Sequence, residues 1–241
     1  MTSSTKHRAL ITGASSGIGK ATALAFASAG IDVALVSRSE RKLETVVQQA
    51  VELGVEAKAY PFDLAKIEGV KAGIDAIAAD FGTIDILVNN AGMGYTGELL
   101  ETSLSDWQQV MDLNLTSVFQ CIQAILPGMR DRAQGTIINI ASLAAQTPFP
   151  GWGAYSVSKA GLVALSKVLA AEEKANGIRV VALSPGAVNT PIWDTDTVQA
   201  DLNRSAMLTP EIVAQSILHV ALLPEQAAIE ELTLTPSAGA L

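Results

Sequence analysis

The sequence predicts an α/β fold, a single domain on a doubly wound parallel sheet of about seven strands with helices on both faces. Three observations carry that expectation. Short β-branched runs alternate with helix-period segments along all 241 residues. No linker, charge block or fixed-period repeat interrupts the alternation. Strand–helix–strand order implies right-handed crossovers, which lay strands parallel and cover both faces of the sheet.

The elements follow in order. Strands are expected at Arg8–Thr12, Val33–Ser37, Glu56–Tyr60, Ile84–Asn89, Thr136–Ala141, Arg179–Ser184 and Glu231–Thr235. A helical pattern runs from Lys20 to Ala29. Leu43, Val46, Val47 and Ala50 form an apolar stripe, with Gly54 as its stop. Ile67, Val70, Ile74 and Ile77 form a second stripe, ended by Gly82. Ser105 with Gln108 reads as a capping box for the next helix. Thr209, Pro210 and Glu211 read as N-cap, first-turn proline and first-turn acid of the last helix.

Composition restricts the chemistry. The chain has 24 acidic and 16 basic residues, for a net charge of -8. That balance speaks against a nucleic-acid binder. One cysteine, Cys121, excludes an intrachain disulfide, and two histidines, His7 and His219, make a metal cluster an unexpected reading. Any acid/base group is therefore expected to be something other than histidine. The start, Met1 to Leu10, has no apolar leader segment, and no stretch reads as a membrane span. The expectation is a soluble cytoplasmic protein with no bound metal and no membrane partner.

The first strand runs into Thr12-Gly13-Ala14-Ser15-Ser16-Gly17-Ile18-Gly19. Binding a phosphate needs a tight turn, a bare backbone and a helix N-terminus. Gly13, Gly17 and Gly19 are placed for these three jobs, and Ser15 and Ser16 add hydroxyl donors. A plain turn is the competing reading. The spacing is G-x-x-x-G-x-G, which differs from the G-x-G-x-x-G of many dinucleotide sites. The second strand ends at Ser37 and Arg38, 19 residues beyond Gly19. An acid there would suit the ribose hydroxyls of NAD, whereas an arginine suits the 2′-phosphate of NADP. NADP(H) is therefore the expected cofactor over NAD, against a solvated arginine as the alternative.

Of three tyrosines, only Tyr155 has a lysine four residues on, Lys159, which puts both on one helix face. A phenol titrates near 10, too high for proton transfer near neutrality, and an adjacent ammonium lowers it. The pair follows 22 uncharged residues, Ala133–Ala154, at the end of the fifth strand. Carboxyl ends of strands are where open α/β sheets bind ligands. A packing tyrosine beside a surface lysine is the other reading.

With Asn89-Asn90-Ala91-Gly92, Asn114, Ser142, and Pro185-Gly186 with Thr190 added in order, the chain resembles the short-chain dehydrogenase/reductase family over essentially its whole length. The resemblance implies a Rossmann-like domain, with a nucleotide-binding half over about residues 1–130 and a catalytic half over about 131–241. It implies Tyr155 as the acid/base and Lys159 as its modulator and a ribose ligand. Ser142 would bond the substrate oxygen, and Asn114 would hold a water for proton resupply. It further implies that Asp63 and Leu64 meet the adenine, and that Asn90, Ala91 and Gly92 line the adenosine side. Pro185, Gly186, Val188 and Thr190 would hold the nicotinamide end. Thr12 belongs to the cofactor loop. The expected activity is NADPH-dependent reduction of a small carbonyl compound. A 3-oxoacyl-carrier reductase, an NAD-linked alcohol dehydrogenase and a non-catalytic NADP sensor are the alternatives.

Substrate choice is expected in Met93–Thr96, Leu143–Trp152 and Ala187–Leu208, with Trp193–Leu208 as a mobile lid. Met93, Phe149, Trp152, Trp193 and Met207 read as an apolar pocket or as core. Two departures weaken the carrier-protein reading: the C-terminal run Glu230–Gly239, and Ala133 and Asn176 where basic residues are expected. The resemblance also implies a homotetramer or homodimer through the helices bearing Asn114 and Lys159. Leu162, Val163, Leu165, Val168 and Leu169 give the latter helix apolar residues around much of its girth.

Overall fold

The computed structural model describes residues 6–200, 202–237 and 239. Met1–Thr5 at the start, Asp201 within the expected lid and Ala238 of the C-terminal run lie outside the described residues. The strands are β1 (Arg8–Thr12), β2 (Asp32–Ser37), β3 (Ala57–Pro61), β4 (Ile86–Asn89), β5 (Gly135–Ile140), β6 (Ile178–Pro185) and β7 (Glu231–Leu234). They form one parallel sheet in the order β3-β2-β1-β4-β5-β6-β7. Each matches an expected strand within two residues.

The helices are α1 (Gly17–Ser28), α2 (Glu40–Glu52), α3 (Val70–Phe81), α4 (Leu104–Met111), α5 (Ser117–Arg132), α6 (Gly153–Glu173) and α7 (Pro210–Ala221). The period of two along each strand decides which helices it meets. Ala9 and Ile11 of β1 pack with α1, α2 and α7 through Phe26, Leu43 and Ile217. Leu10, between them, faces α3, α5 and α6 through Ile74, Ile122 and Leu162. The same alternation splits Val33 and Leu35 from Ala34 and Val36 in β2. Each of the larger of these side chains, Val, Leu, Ile or Phe, contributes about 2 kcal/mol when taken wholly out of water, before ordering costs.

Two helix starts differ in outcome. Thr209 caps α7 as expected, accepting the Ile212 N–H at 3.5 Å, with Pro210 in the first turn. The capping box at Ser105 is corrected: Ser105 lies inside α4, and Ser103 is the cap. Ser103 Oγ accepts the Asp106 N–H at 3.0 Å and donates to Asp106 Oδ2 at 2.8 Å. Asp fills the third helical position here, so a search for Glu or Gln there pointed two residues too late. The expected start of α1 at Lys20 is also late, because Gly17 already opens the helix.

The strand order reverses between β1 and β4, where successive crossovers leave in opposite directions. Their carboxyl ends therefore border an open crevice, the usual ligand position in such sheets. The loops after β1, β4, β5 and β6 all converge there. No described helix is long and apolar enough to cross a membrane.

Candidate active site and cofactor cleft

The glycine loop is shaped by close backbone approach. Gly13 has φ of 66°, and a Cβ there would stand 2.8 Å from Asn90 Nδ2 and 2.9 Å from Ala91 Cα. A Cβ on Gly19 would run into the Gly13 carbonyl and Asn90. Gly17 has φ of 52° and lies against Thr190, 3.1 Å from the place of its missing Cβ. The N-cap Ser16 is extended and makes no side-chain capping bond, so no side-chain cap satisfies the first N–H groups of α1. A helix N-terminus with bare backbone before it fits a dinucleotide's diphosphate.

Thr12 and Asn90 brace this loop. Thr12 Oγ1 accepts the N–H groups of Asn90 and Ala91, both at 3.0 Å, and sits 3.4 Å from the Val88 carbonyl. Asn90 Nδ2 returns a bond to Thr12 O at 3.0 Å. These side chains tie β1 to β4, so their part in any cofactor site is to hold its floor. Ser15 is half-buried on the loop. Ser37 accepts the Ser39 N–H at 3.2 Å, and Arg38 stands exposed at the end of β2. Asp63 accepts the Ala65 N–H at 3.1 Å in the turn after β3, beside buried Leu64.

The candidate catalytic groups come from three elements. Ser142 follows β5, and its Oγ accepts the Ala144 N–H at 3.1 Å. Tyr155 is in the first turn of α6 and Lys159 in the second. Burial raises the Tyr155 phenol above its ordinary range, and the Ser142 hydroxyl beside it works against that rise. Lys159 is 5% exposed, and burial pulls its ammonium down to about 8. Its Nζ donates to Ile140 O at 2.9 Å and lies 5.8 Å from the Tyr155 ring centroid. An ammonium has three donors, so two remain for other partners.

Asn114 sits in a π-helical turn, Asp112–Thr116, between α4 and α5. Such turns cost regular hydrogen bonding and recur at functional sites. The Asn114 side chain is wholly buried and fully committed. Its Oδ1 accepts the Met93 N–H at 2.8 Å, and its Nδ2 donates to Met93 O at 3.0 Å and Ser158 Oγ at 3.1 Å. The side chain thus works as a brace. Gly92 lies close above it: a Cβ there would be 3.1 Å from Asn114 Oδ1 and 3.5 Å from Lys159 Nζ.

After β6, Gly186 N–H bonds Leu234 O at 2.8 Å, Val188 is buried, and Thr190, preceding a short helical turn, lies over Gly17. The Pro185–Thr190 segment reaches the glycine loop where Thr190 lies over Gly17, and the Asp63–Leu64 pair follows β3, on the other side of the strand-order reversal.

The chain matches the family model described as short chain dehydrogenase over residues 7–201. The chain belongs to that family. It is 38% identical over 243 residues to a 3-oxoacyl-[acyl-carrier-protein] reductase of Synechocystis sp., covering 99% of this chain and 98% of the relative. It is 40% identical over 181 residues to the Staphylococcus epidermidis 3-oxoacyl-[acyl-carrier-protein] reductase FabG, covering 75% and 74% of the two chains. A metagenomic short-chain oxidoreductase solved with NADP superposes with a TM-score of 0.84 at 31% identity, covering 96% and 97%. An alcohol dehydrogenase from Thermococcus sibiricus, solved with 5-hydroxy-NADP, superposes with a TM-score of 0.89 at 29% identity, covering 98% and 99%. As a short-chain dehydrogenase, this protein is an NAD(P)-dependent oxidoreductase acting on a carbonyl or its alcohol.

Around Tyr155 the walls are apolar. Trp152 meets Tyr155 edge-on at 5.4 Å between centroids and Trp193 at 5.8 Å. The Trp193 indole is held by the Val188 carbonyl at 2.7 Å. Met207 is buried, while Met93 and Phe149 are half-buried. The segment expected to be a lid is tied across the cleft. Thr96 N–H bonds Thr197 O at 2.9 Å, Thr197 Oγ1 bonds Gly94 O at 2.7 Å, and Gln199 N–H bonds Thr96 Oγ1 at 2.7 Å. Arg204 pins the segment's far side through Asn189, Asp194 and Thr190 O.

Two features escaped sequence reading. Ser158 touches both Asn114 and Tyr155, and only its place beside Lys159 marks it in the sequence. The other is the engagement of two arginines close to Ala133: Arg130 pairs with the fully buried Glu173, and Arg132 bonds Ile84 O at 2.8 Å and lies 3.8 Å from Asp85. Of the apolar residues read around α6, Leu162, Val163 and Leu169 are buried in this chain's own core, and Val168 remains exposed.

Proposed function

We propose that this short-chain dehydrogenase is an NADPH-dependent reductase of a small, uncharged carbonyl compound, with Tyr155 as proton donor. The observation that carries the reading is the meeting of Tyr155, Lys159 and Ser142 at the end of β5, beside a glycine loop whose approach leaves no space for side chains. The bare loop and the uncapped start of α1 fit a diphosphate, and Arg38 with Ser37 fits a 2′-phosphate at the end of β2. Solved neighbours hold NADP or 5-hydroxy-NADP. Bound there, the cofactor supplies the hydride, and the protein supplies everything else.

The substrate oxygen would lie between the Ser142 and Tyr155 hydroxyls. Ser142 donates to the oxygen as negative charge builds on it, an effect enlarged by exclusion of water. Tyr155 gives up its proton to that oxygen. A phenol raised by burial keeps the proton to be donated, and the Lys159 ammonium 5.8 Å from the ring stabilises the phenolate that results. Lys159 Nζ lies near Gly92, and its remaining donors suit a ribose. Asn114 holds the β4 loop against α6 and keeps these groups in register.

A second reading, reduction of 3-oxoacyl groups on a carrier protein, is supported by the curated relatives at 38% and 40% identity. Docking an acidic carrier needs cations beside the cleft. Here Arg130 and Arg132 are engaged by Glu173 and Asp85, which favours the free carbonyl compound. The test is NADPH and NADH oxidation against ketones, aldehydes, quinones and 3-oxoacyl thioesters. Tyr155→Phe is expected to lose turnover and keep NADPH binding. Arg38→Asp is expected to weaken NADPH selectively. Retained turnover in Tyr155→Phe overturns the acid/base reading, and an unchanged cofactor preference in Arg38→Asp overturns the NADP reading.

A further inference from the structure

Helix α6 carries two buried serines in matching settings. Ser166 Oγ donates to Leu162 O at 2.7 Å and accepts from Asn139 Nδ2 at 2.9 Å. Ser158 Oγ donates to Tyr155 O at 2.7 Å and accepts from Asn114 Nδ2 at 3.1 Å. Both are almost wholly shielded from water, at 2% and 0% exposure. In each case a hydroxyl ties the helix to an asparagine amide of another element. The Ser166 tie ends in the sheet core. The Ser158 tie ends in the site.

Ser158 closes a row of hydrogen bonds. The row starts at the Met93 backbone after β4, passes through both ends of the Asn114 amide, crosses Ser158 Oγ and ends on the Tyr155 carbonyl. Gly92, next to Met93, lies against both groups: a Cβ there would crowd Asn114 Oδ1 at 3.1 Å and touch Lys159 Nζ at 3.5 Å. The row therefore joins the nucleotide side of the cleft to the turn that bears the phenol. Without the Ser158 hydroxyl, Asn114 still holds Met93, yet nothing polar holds α6 to Asn114.

We propose that Ser158 is a positioning residue of this site, setting the first turn of α6 against the Asn114 turn and so placing Tyr155 and Lys159 relative to the β4 loop. The proposal rests on the reductase reading above. Small misplacements of a reacting group cost rate out of proportion to their size. Losing the tie also lets water reach two groups that owe their shifted titration to burial.

The test compares Ser158→Ala with Ser166→Ala, the matched control. Both variants are expected to lose thermal stability. Ser158→Ala alone is expected to lower kcat by about ten- to hundredfold, with NADPH affinity and substrate KM little changed. Its alkaline pH limb is expected to move upward as Lys159 returns toward its ordinary value. Ultraviolet titration of the Tyr155 phenol, taken as the difference from Tyr155→Phe in protein without cofactor, should move downward in Ser158→Ala and stay in place in Ser166→Ala. Ser158→Thr, which keeps the hydroxyl, should restore the wild-type pH profile. Should Ser158→Ala fail to fold, Ser158→Cys enters the same comparison with weaker bonds. Equal kcat and equal titration in the two alanine variants would overturn the proposal. Absence of NADPH-linked turnover in the wild type would overturn the reductase reading instead, and the phenol titration would still decide the placement.

Discussion

Lys159 should weaken the fold that holds it. Its side chain is 5% exposed, and burial lowers the ammonium from 10.5 to about 8. At about 1.4 kcal/mol for each pH unit, that fall means the charged lysine costs the folded state about 3 kcal/mol near neutrality. The folded value lies below the unfolded one. Below pH 8 the lysine is charged in both states and the cost is complete. Between about 8 and 10.5 the folded protein gives up the proton while the unfolded chain keeps it, so stability rises with pH through this window. Lys159→Met removes the charge but strands the Ile140 carbonyl, at a cost of about 1–2 kcal/mol. The variant should then be about 1–2 kcal/mol more stable than wild type at pH 7. That advantage should vanish and reverse by pH 10.5. Urea unfolding at fixed protein concentration, at pH 7 and pH 10, measures both ends. A variant less stable than wild type at pH 7, with a difference independent of pH, would refute the reasoning. The variant's lost turnover would show that the destabilising charge is kept for function.

Three further outcomes follow from the geometry. Gly19→Ala drives a Cβ into the Gly13 carbonyl and into the Asn90 side chain that Thr12 O holds, so cofactor binding should fall at least tenfold while Gly69→Ala, with open space and negative φ, leaves binding unchanged; calorimetric titration with NADPH compares them. Ser103→Ala removes the α4 cap and should lower stability by about 1 kcal/mol with kcat intact, as read by urea unfolding and steady-state kinetics. Thr197→Val removes the 2.7 Å bond to Gly94 and should speed proteolytic cleavage within 191–208 without weakening the global fold; an unchanged cleavage rate would show the strap to be idle.

The site was legible where chemistry demands a residue type in a local pattern. Gly13 and Gly19 stand out because only glycine leaves room for the backbone they meet, and Tyr155 with Lys159 because one helix turn fixes their common face. Ser158 and Ser103 were hidden for the opposite reason. A hydroxyl becomes a brace or a cap only through its partner, and the Asn114 amide that meets Ser158 lies 44 residues away in the chain. Arg130 and Arg132 show the same limit: only the fold brings Glu173 and Asp85 to them, 43 and 47 residues away in the chain.

By itself, the amino-acid order determined the parallel α/β sheet, the glycine loop after the first strand and the scarcity of histidine, at two residues. Each is a matter of periodicity, spacing or composition, and these act over a few residues at a time. Only the tertiary structure decided the charge and reach of the groups involved. It buried Lys159 until its ammonium fell to about 8, raised the Tyr155 phenol, and spent the Asn114 side chain on Met93 and Ser158. Solvent exclusion and hydrogen-bond partners are properties of packed neighbours, and those neighbours come from strands and helices far apart in the chain.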